Sequence, residues 1–528
     1  MGVVMSKSLI KSTSAVAGMT MISRVFGFIR DMVTAHIFGA GLFSDAFFVA
    51  FRIPNFMRRL FAEGSFSQAF VPVLSEFQKN KTSAEIKAFI NSMAGTLGAV
   101  LLMVTCFGIL LAPLIIHLFA PGYASDSERY KLAVMMLRIT FPYLLLISLT
   151  AFSGAILNTY SRFWVAAFTP VFLNICMIAT AIFLAPHLHV PIVALAWGVF
   201  IAGIVQLLFQ LPFLKRMGLM PKPKIDFRNP GVMKVLKLMV PALFGVSVSQ
   251  INLLMDTLFA SFLMIGSVSW LYFSDRLMEF PLGVIGVAIS TVVLPHLSRH
   301  HSAKSSRDFS LTLDWALRCV LLAGLPAAVV LAVLSGPLLS ALLQYGRFDG
   351  HSVLMARQSL TAFAIGIAPF MLIKILAAGF YARQDMRTPV RIGIIAMVSN
   401  MVLNCILIWP LKHAGIALAT SLSAVLNMGL LYYYLQKRSY FIPRAGWKSF
   451  LYRLLFANTL LAICLLLGAG NILDWIAKPA LWRVMHLTVL LVGGVAVYFL
   501  ALWVSGVRPR HILIPPPLGL PVEEMMQF

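Results

Sequence analysis

The chain has 528 residues, of which 60% are hydrophobic and 11% charged, and its formal net charge is +24. A mean hydropathy of +0.90 excludes a water-soluble globule of ordinary composition, so lipid is the solvent for most of the chain. The excess of base excludes less than it suggests: no basic stretch interleaved with aromatics is present, the bases gather in short loops between apolar runs, and nucleic acid is not expected as a partner.

Apolar runs bounded by loop signals predict an all-α polytopic membrane protein of about fourteen transmembrane helices, two six-helix lobes plus two C-terminal helices. The first span, near 9–38, carries Thr20, Arg24, Gly27, Asp31 and Thr34 at spacings of three and four, which places them on one helix face. No cleavable leader is apparent, because Ser12, Thr13, Ser14 and Arg24 interrupt the first apolar run. The second span, near 43–78, has Asp45, Arg52 and Arg59 at intervals of seven, with Asn55 between them and Pro54 free to bend the helix. Arg58 points to a neighbouring face, or to the same one if the bend rotates it. Spans near 88–119, 130–158, 163–186 and 190–214 complete a first lobe, 1–214. A basic connector at 215–237 follows, holding Lys215, Arg216, Lys222, Lys224, Arg228, Lys234 and Lys237.

Spans near 238–263, 267–298, 309–343, 354–382, 388–410 and 414–436 form a second lobe, 238–437. A last pair near 449–470 and 481–506, with the C-terminal tail, makes up 438–528. The eighth span supplies Ser269, Asp275, Arg276 and Glu279. Gln250, Asn252 and Asp256 on the seventh, Asn400 and Asn404 on the eleventh and Thr420 on the twelfth are oxygen donors of the kind that suit a hard monovalent cation such as sodium, or that bond helix to helix. Bases fall on every second loop, which puts both termini in the cytoplasm. Val71-Pro72-Val73-Leu74-Ser75 is echoed by Leu294-Pro295-His296-Leu297-Ser298, and Thr169-Pro170-Val171 by Thr388-Pro389-Val390, at matching positions in the two lobes. The offset implies parallel repeats about an axis along the membrane normal.

Charge within the spans carries the functional argument. Arg24, Arg30, Arg52, Arg58, Arg59, Arg138, Arg276, Arg318 and Lys374 outnumber their acidic company, Asp31, Asp45, Glu63, Asp256, Asp275, Glu279 and Asp314. At about 2.5 to 3.5 kcal/mol for a charge at a helix centre, these groups line water or one another rather than lipid. Arg59, Arg138, Arg318 and Lys374 suit snorkelling or structural pairing. Arg24, Arg30, Arg58 and Arg276 fall on early helices of both halves, and an excess of guanidinium there implies an anionic ligand bearing phosphate or carboxylate. No HExxH and no phosphate-binding glycine loop occurs, so metallohydrolysis and ATP-driven pumping have no support. Cys106, Cys176, Cys319, Cys405 and Cys464 lie in apolar segments and serve as packing residues.

The runs Ser23-Arg24-Val25-Phe26-Gly27-Phe28-Ile29-Arg30-Asp31, Ser44 to Asn55 and Arg58-Arg59-Leu60-Phe61-Ala62-Glu63-Gly64 closely resemble the MurJ/MviN family of lipid II flippases. Gly245 to Gln250, Ser274-Asp275-Arg276-Leu277-Met278-Glu279-Phe280-Pro281 and Gly379 to Asp385 extend the resemblance over nearly the whole chain. It implies the multidrug/oligosaccharidyl-lipid/polysaccharide exporter fold, a bacterial inner-membrane location, and a role in peptidoglycan synthesis and cell shape. The substrate implied is lipid II, a sugar-peptide on undecaprenyl diphosphate, moved from the cytoplasmic to the periplasmic leaflet by alternating access. By resemblance, Arg24, Arg30, Arg58 and Arg276 are essential cavity arginines, and Asp31, Asp45, Asn55, Ser269 and Glu279 line the same cavity; Arg52 joins the candidate substrate-binding residues through its spacing with Asp45 on the second span. The last two helices guide the lipid tail. Some relatives hold sodium through positions that Asp256, Asn400 and Thr420 match, but Asn404 stands where a second carboxylate would be. No cofactor is implied beyond such a cation and the membrane potential. Membrane lipids and cell-wall synthesis proteins are the further partners expected. Another polyprenyl-diphosphate-linked oligosaccharide, or a drug exchanged for ions, is the rival cargo, and a membrane glycosyltransferase or lipid phosphatase is the rival enzyme.

Overall fold

The computed structural model describes residues 7–60, 66–302 and 305–507, and every regular element within them is helical. Two compact units divide the chain, Met1–Ser269 and Trp270–Phe528. The first contains α1 (Lys7–Phe38), α2 (Leu42–Met57), α3 (Ser67–Asn80), α4 (Ser83–Leu110), α5 (Ala112–Phe119), α6 (Ser127–Thr140), α7 (Tyr143–Thr159), α8 (Phe163–Phe168), α9 (Pro170–Ala179), α10 (Val193–Arg216) and α11 (Pro230–Ser261). Helix α12 (Ser267–Pro281) starts in the first unit and continues into the second. There it is followed by α13 (Val287–Ser302), α14 (Ser306–Val333), α15 (Ser335–Leu343), α16 (Gly350–Ala364), α17 (Ile367–Tyr381), α18 (Arg387–Lys437), α19 (Trp447–Ala469), α20 (Ile472–Ala477) and α21 (Ala480–Val504).

Among the described residues nine helical stretches are long and apolar enough to cross a membrane, and one of them, Arg387–Lys437, holds two of the predicted spans. The described residues of the predicted spans outside this set, 9–38, 43–78, 238–263 and 267–298, are almost all helical too. They are the ones that carry Arg24, Arg30, Asp31, Asp45, Arg52, Arg58, Asp256, Arg276 and Glu279. Their charged residues set them apart from the more apolar stretches.

The breaks have local causes. The predicted span 43–78 is not one α-helix: α2 ends at Met57, residues 58–60 wind as a π-turn, and α3 starts at Ser67. Pro54, lacking an N–H, weakens the last turn of α2 just ahead of the change. Pro281 likewise precedes a π-turn, Leu282–Gly286, between α12 and α13. Helix α18 bends at Lys412 (φ 50, ψ −127), inside the loop predicted between its two spans. Gly415 allows that bend, because a Cβ there would lie 2.2 Å from the carbonyl oxygen of Leu407. The segments containing Glu63, Lys304, Arg508 and Arg510 lie outside the described residues.

Packing fixes each unit from within. Phe66, Phe70, Phe77, Phe89 and Phe152 tie α3, α4 and α7 together, with ring centroids 4.6 Å apart for Phe77 and Phe89 and 5.2 Å for Phe70 and Phe152. Such pairs contribute about 1 kcal/mol each beyond burial. The connector is strapped to α4: the N–H groups of Lys222, Lys224 and Asp226 donate to Asn91 Oδ1 (2.7 Å), Asn91 O (3.0 Å) and Thr96 Oγ1 (3.1 Å). At Gly95 a Cβ would lie 2.3 Å from the carbonyl carbon of Lys224, so only glycine lets the two backbones approach this closely. In the second unit, buried Asp314 of α14 accepts from Arg444 N (3.1 Å) and Trp447 Nε1 (2.6 Å) and so fixes the start of α19. Arg483 of α21 closes the end of α15, donating to Ser340 O at 3.0 Å and Gln344 O at 3.1 Å.

Candidate functional site

The arginines of the first unit differ in how much of their hydrogen-bonding capacity is already used. Arg30 is buried on α1, where its Nε and Nη2 donate to Asp31 Oδ1 at 3.1 and 2.7 Å. Its Nη1 donates to Asn174 Oδ1 on α9 at 3.0 Å, and Asn174 Nδ2 returns a bond to Ser23 O at 3.1 Å. Arg30 therefore ties α1 to α9. Arg24, on the same helix, is half-buried and makes no ion pair or hydrogen bond with any described residue. Arg58 donates to Asn55 Oδ1 through Nε (3.1 Å) and Nη2 (2.9 Å), one turn apart across the end of α2. Arg52 donates to Thr257 Oγ1 of α11 at 2.6 Å.

Asp45 does something other than line an open surface. Its carboxylate is fully buried and accepts from Gly266 N at 2.7 Å, Ser269 N at 2.9 Å and Ser269 Oγ at 2.6 Å. These donors belong to the first turn of α12 and the residue before it, so Asp45 acts as a helix cap supplied by another helix. Arg129 of α6, 6% exposed, stands 4.0 Å from Asp45 Oδ2 and 3.3 Å from Asp126 Oδ2. Its guanidinium lies 4.2 Å from the centre of the buried Tyr123 ring. This buried cation thus sits between two carboxylates and over an aromatic face, which supports it without water.

In the second unit Arg276 Nη1 pairs with Glu279 Oε2 at 2.6 Å, and the guanidinium lies 5.0 Å from the centre of the Tyr272 ring. Their side chains are 27% and 41% exposed, so both remain within reach of a ligand. Arg318 follows the structural reading, held by Asp314 at 2.8 Å. Of the proposed cation donors, Asn400 and Asn404 are fully buried one turn apart on α18, and Thr420 Oγ1 on the limb beyond the bend donates to Ile416 O at 3.0 Å. Asp256 lies on α11 of the first unit. Among the described residues no group of three or more His, Cys, Asp or Glu side chains is placed to hold a metal.

Three contributors escape a reading of the sequence. Arg129 falls one residue before the predicted start of a span, and its only local signal is Asp126 three residues earlier. Asn174 and Thr257 look like ordinary interhelical hydrogen-bonding residues until the fold brings them to Arg30 and Arg52. Chemically, the first unit offers a spare guanidinium on α1, a partly open one on α2 and a buried acid closing a helix end, and the second unit a partly open guanidinium on α12. Guanidiniums of this kind can bind an anion with forked donors.

A family model described as lipid II flippase MurJ matches residues 34–490. A protein of Haemophilus influenzae named "Probable lipid II flippase MurJ" is 49% identical, over 94% of this chain and 99% of its own length. A solved structure of lipid II flippase MurJ in an inward closed conformation gives a TM-score of 0.77 at 27% identity, covering 92% of this chain and 97% of that one. An inward-facing multidrug resistance MATE family transporter of the MOP superfamily shares the fold, with a TM-score of 0.67 at 12% identity over 80% of this chain and 97% of its own.

Proposed function

The chain belongs to the lipid II flippase MurJ family, and from that premise we propose that it carries lipid II from the cytoplasmic to the periplasmic leaflet of the bacterial inner membrane by alternating access. Family membership makes it a multi-pass transporter rather than a glycosyltransferase or a lipid phosphatase.

The observation that carries the mechanism is the contrast between Arg24 and Arg30. Arg30 spends its donors on Asp31 and Asn174, whereas Arg24 keeps all of its own. Arg24 is therefore the first guanidinium available to a diphosphate, with Arg58 and Arg276 able to exchange a neutral or exposed partner for phosphate oxygen. Partial neutralisation lowers the cost of moving the headgroup through a low-dielectric region. With both termini cytoplasmic, a potential negative inside favours outward movement of the remaining negative charge by about 2.3 kcal/mol per charge per 100 mV. Two neutral amides, Asn400 and Asn404, make a weak donor set for a hard cation, and the mechanism needs no cation step.

Asp45 supplies the second requirement, a joint that closes and reopens. Its three hydrogen bonds fasten the first turn of α12, the helix by which the chain enters the second unit. Movement of that turn during alternating access would release those bonds, and substrate bound on the arginines would bias that equilibrium by its differential affinity.

The test is translocation of lipid II in cells depleted of their own flippase, comparing the wild type with Arg24→Ala and Arg276→Ala at matched membrane levels. Exposure of lipid II by the wild type and its loss in both variants supports the reading. A wild type that moves no lipid II removes the cargo assignment, and one that moves it equally well after collapse of the potential removes the energetic part.

A further inference from the structure

The second unit holds a buried polar pair that none of these steps uses. Trp270, 3% exposed in the first turn of α12, and His413, 2% exposed directly after the Lys412 bend, lie with ring centroids 5.0 Å apart. His413 Nε2 is 3.0 Å from the carbonyl oxygen of Met355 on α16. A carbonyl only accepts, so Nε2 carries a proton and the neutral ring presents Nδ1 as a bare acceptor. Trp270 Nε1–H can only donate. Both His413 Nδ1 and Trp270 Nε1 are buried and lack a hydrogen-bond partner among the described residues. Such groups are rare in folded proteins because an unmade bond is costly once water is excluded. Here one is an acceptor and the other a donor, on adjacent rings.

We propose that Trp270 Nε1–H donates to His413 Nδ1 through one bridging water, and that this joint is a pH-responsive positioning element for the first turn of α12. The proposal rests on the reading of Asp45 and Ser269 as the releasable joint, since Trp270 follows Ser269 in the same turn. Protonation of His413 turns Nδ1 from acceptor to donor, so the bridging water must reverse to accept from both rings and its own donation to His413 is lost. The charged groups around the pair shape this response. Lys412 precedes His413 on its own helix and opposes a second cation. On the α16 side, the His351 ring lies 5.8 Å from that of Trp270, and Asp349 is engaged in capping α16 through Ser352 N (2.8 Å) and Oγ (2.7 Å). On the predicted topology this end of α12 faces the periplasm, so the pH that matters is the external one.

Tryptophan fluorescence of the full chain in lipid vesicles tests the joint without substrate. Subtracting the emission of Trp270→Phe from that of the wild type isolates Trp270, and pH is scanned between about 4 and 8, because burial, with the Lys412 charge, lowers the His413 imidazole below its ordinary range. The expected result is a single transition that disappears in His413→Gln and in His413→Asn and persists in His351→Gln. Two uncharged variants at position 413 guard against one that fails to fold, each checked by thermal unfolding. A transition that survives both substitutions, one that is lost only in His351→Gln, or no transition at all overturns the proposal. None of these outcomes depends on lipid II movement, and a wild type that moves no lipid II leaves the fluorescence result standing.

Discussion

The carboxylate of Asp45 holds both the N–H and the hydroxyl of Ser269, at 2.9 and 2.6 Å, across 224 positions of sequence. The first N–H groups of a helix have no partner within it, and an acid at that end also faces the favourable pole of the helix dipole. Asp45 answers both needs for α12. Asp45→Asn keeps one acceptor but turns an amide donor toward main-chain donors. It should lower stability by about 2 kcal/mol or more, read as the loss of thermal stability in detergent micelles. Ser269→Ala, which removes one hydroxyl and keeps the main-chain bonds, should cost about 1 kcal/mol.

Arg24 and Arg30 stand two turns apart on α1 and should separate cleanly. Arg24→Ala leaves no buried partner stranded, so melting is expected to change little while lipid II binding falls. Arg30→Ala leaves Asp31 buried without its cation and should cost about 3 to 5 kcal/mol of stability. Arg30→Lys should recover only part of this, since an ammonium cannot fork between Asp31 and Asn174. Parallel thermal and binding measurements check both; a destabilised Arg24→Ala would count against the division of labour.

Arg483 should matter for stability and not for substrate. Its two bonds to Ser340 O and Gln344 O close the last turn of α15 from α21. Arg483→Met preserves much of the side-chain volume but leaves two buried carbonyls unsatisfied, an expected loss of about 2 kcal/mol. Limited proteolysis between α19 and α21 should become faster, with binding of lipid II by the intact protein unchanged.

Asp385, in the turn between α17 and α18, gives a pH dependence with a defined sign. Burial raises its carboxyl, but the Thr388 hydroxyl (2.7 Å), the Thr388 N–H (3.1 Å) and the Arg438 charge outweigh burial and hold it below the usual carboxylate range. A depressed carboxyl contributes stability that is complete above its unfolded value, about 3.9, and is lost as pH falls through the lower folded value. Unfolding followed from pH 7 down to about 3 should therefore show an acid-side loss that is smaller in Asp385→Asn.

The charge census yields nine intramembrane bases, because cations in apolar spans are expensive wherever they occur, and position on early helices of both halves selects Arg24, Arg30, Arg58 and Arg276 from them. It cannot separate Arg30 from Arg24, since the residue that occupies Arg30 is Asn174, 144 positions away. Asp45 is legible as an intramembrane acid but not as a helix cap, because Gly266 and Ser269 become its partners only through tertiary structure. Local breaks fare better. The bend at Lys412 falls between Pro410 and Gly415, residues that punctuate a helix by their own stereochemistry. The π-turn after Met57 is different: Pro54 foretells a bend, and its position three residues later depends on packing.

The strap between α10 and α11 changes where this chain can be engineered. Exposed, lysine-rich and free of regular structure, residues 222–226 look like the natural place to splice in a reporter or an affinity tag, as surface loops usually allow. Yet every second residue along them commits its N–H to α4, over a glycine with no room for a single added carbon. A graft there would peel the segment from its helix. The splice point with the least to lose is Met220–Pro221, just upstream, where among the described residues no main-chain hydrogen bond to another helix would be cut.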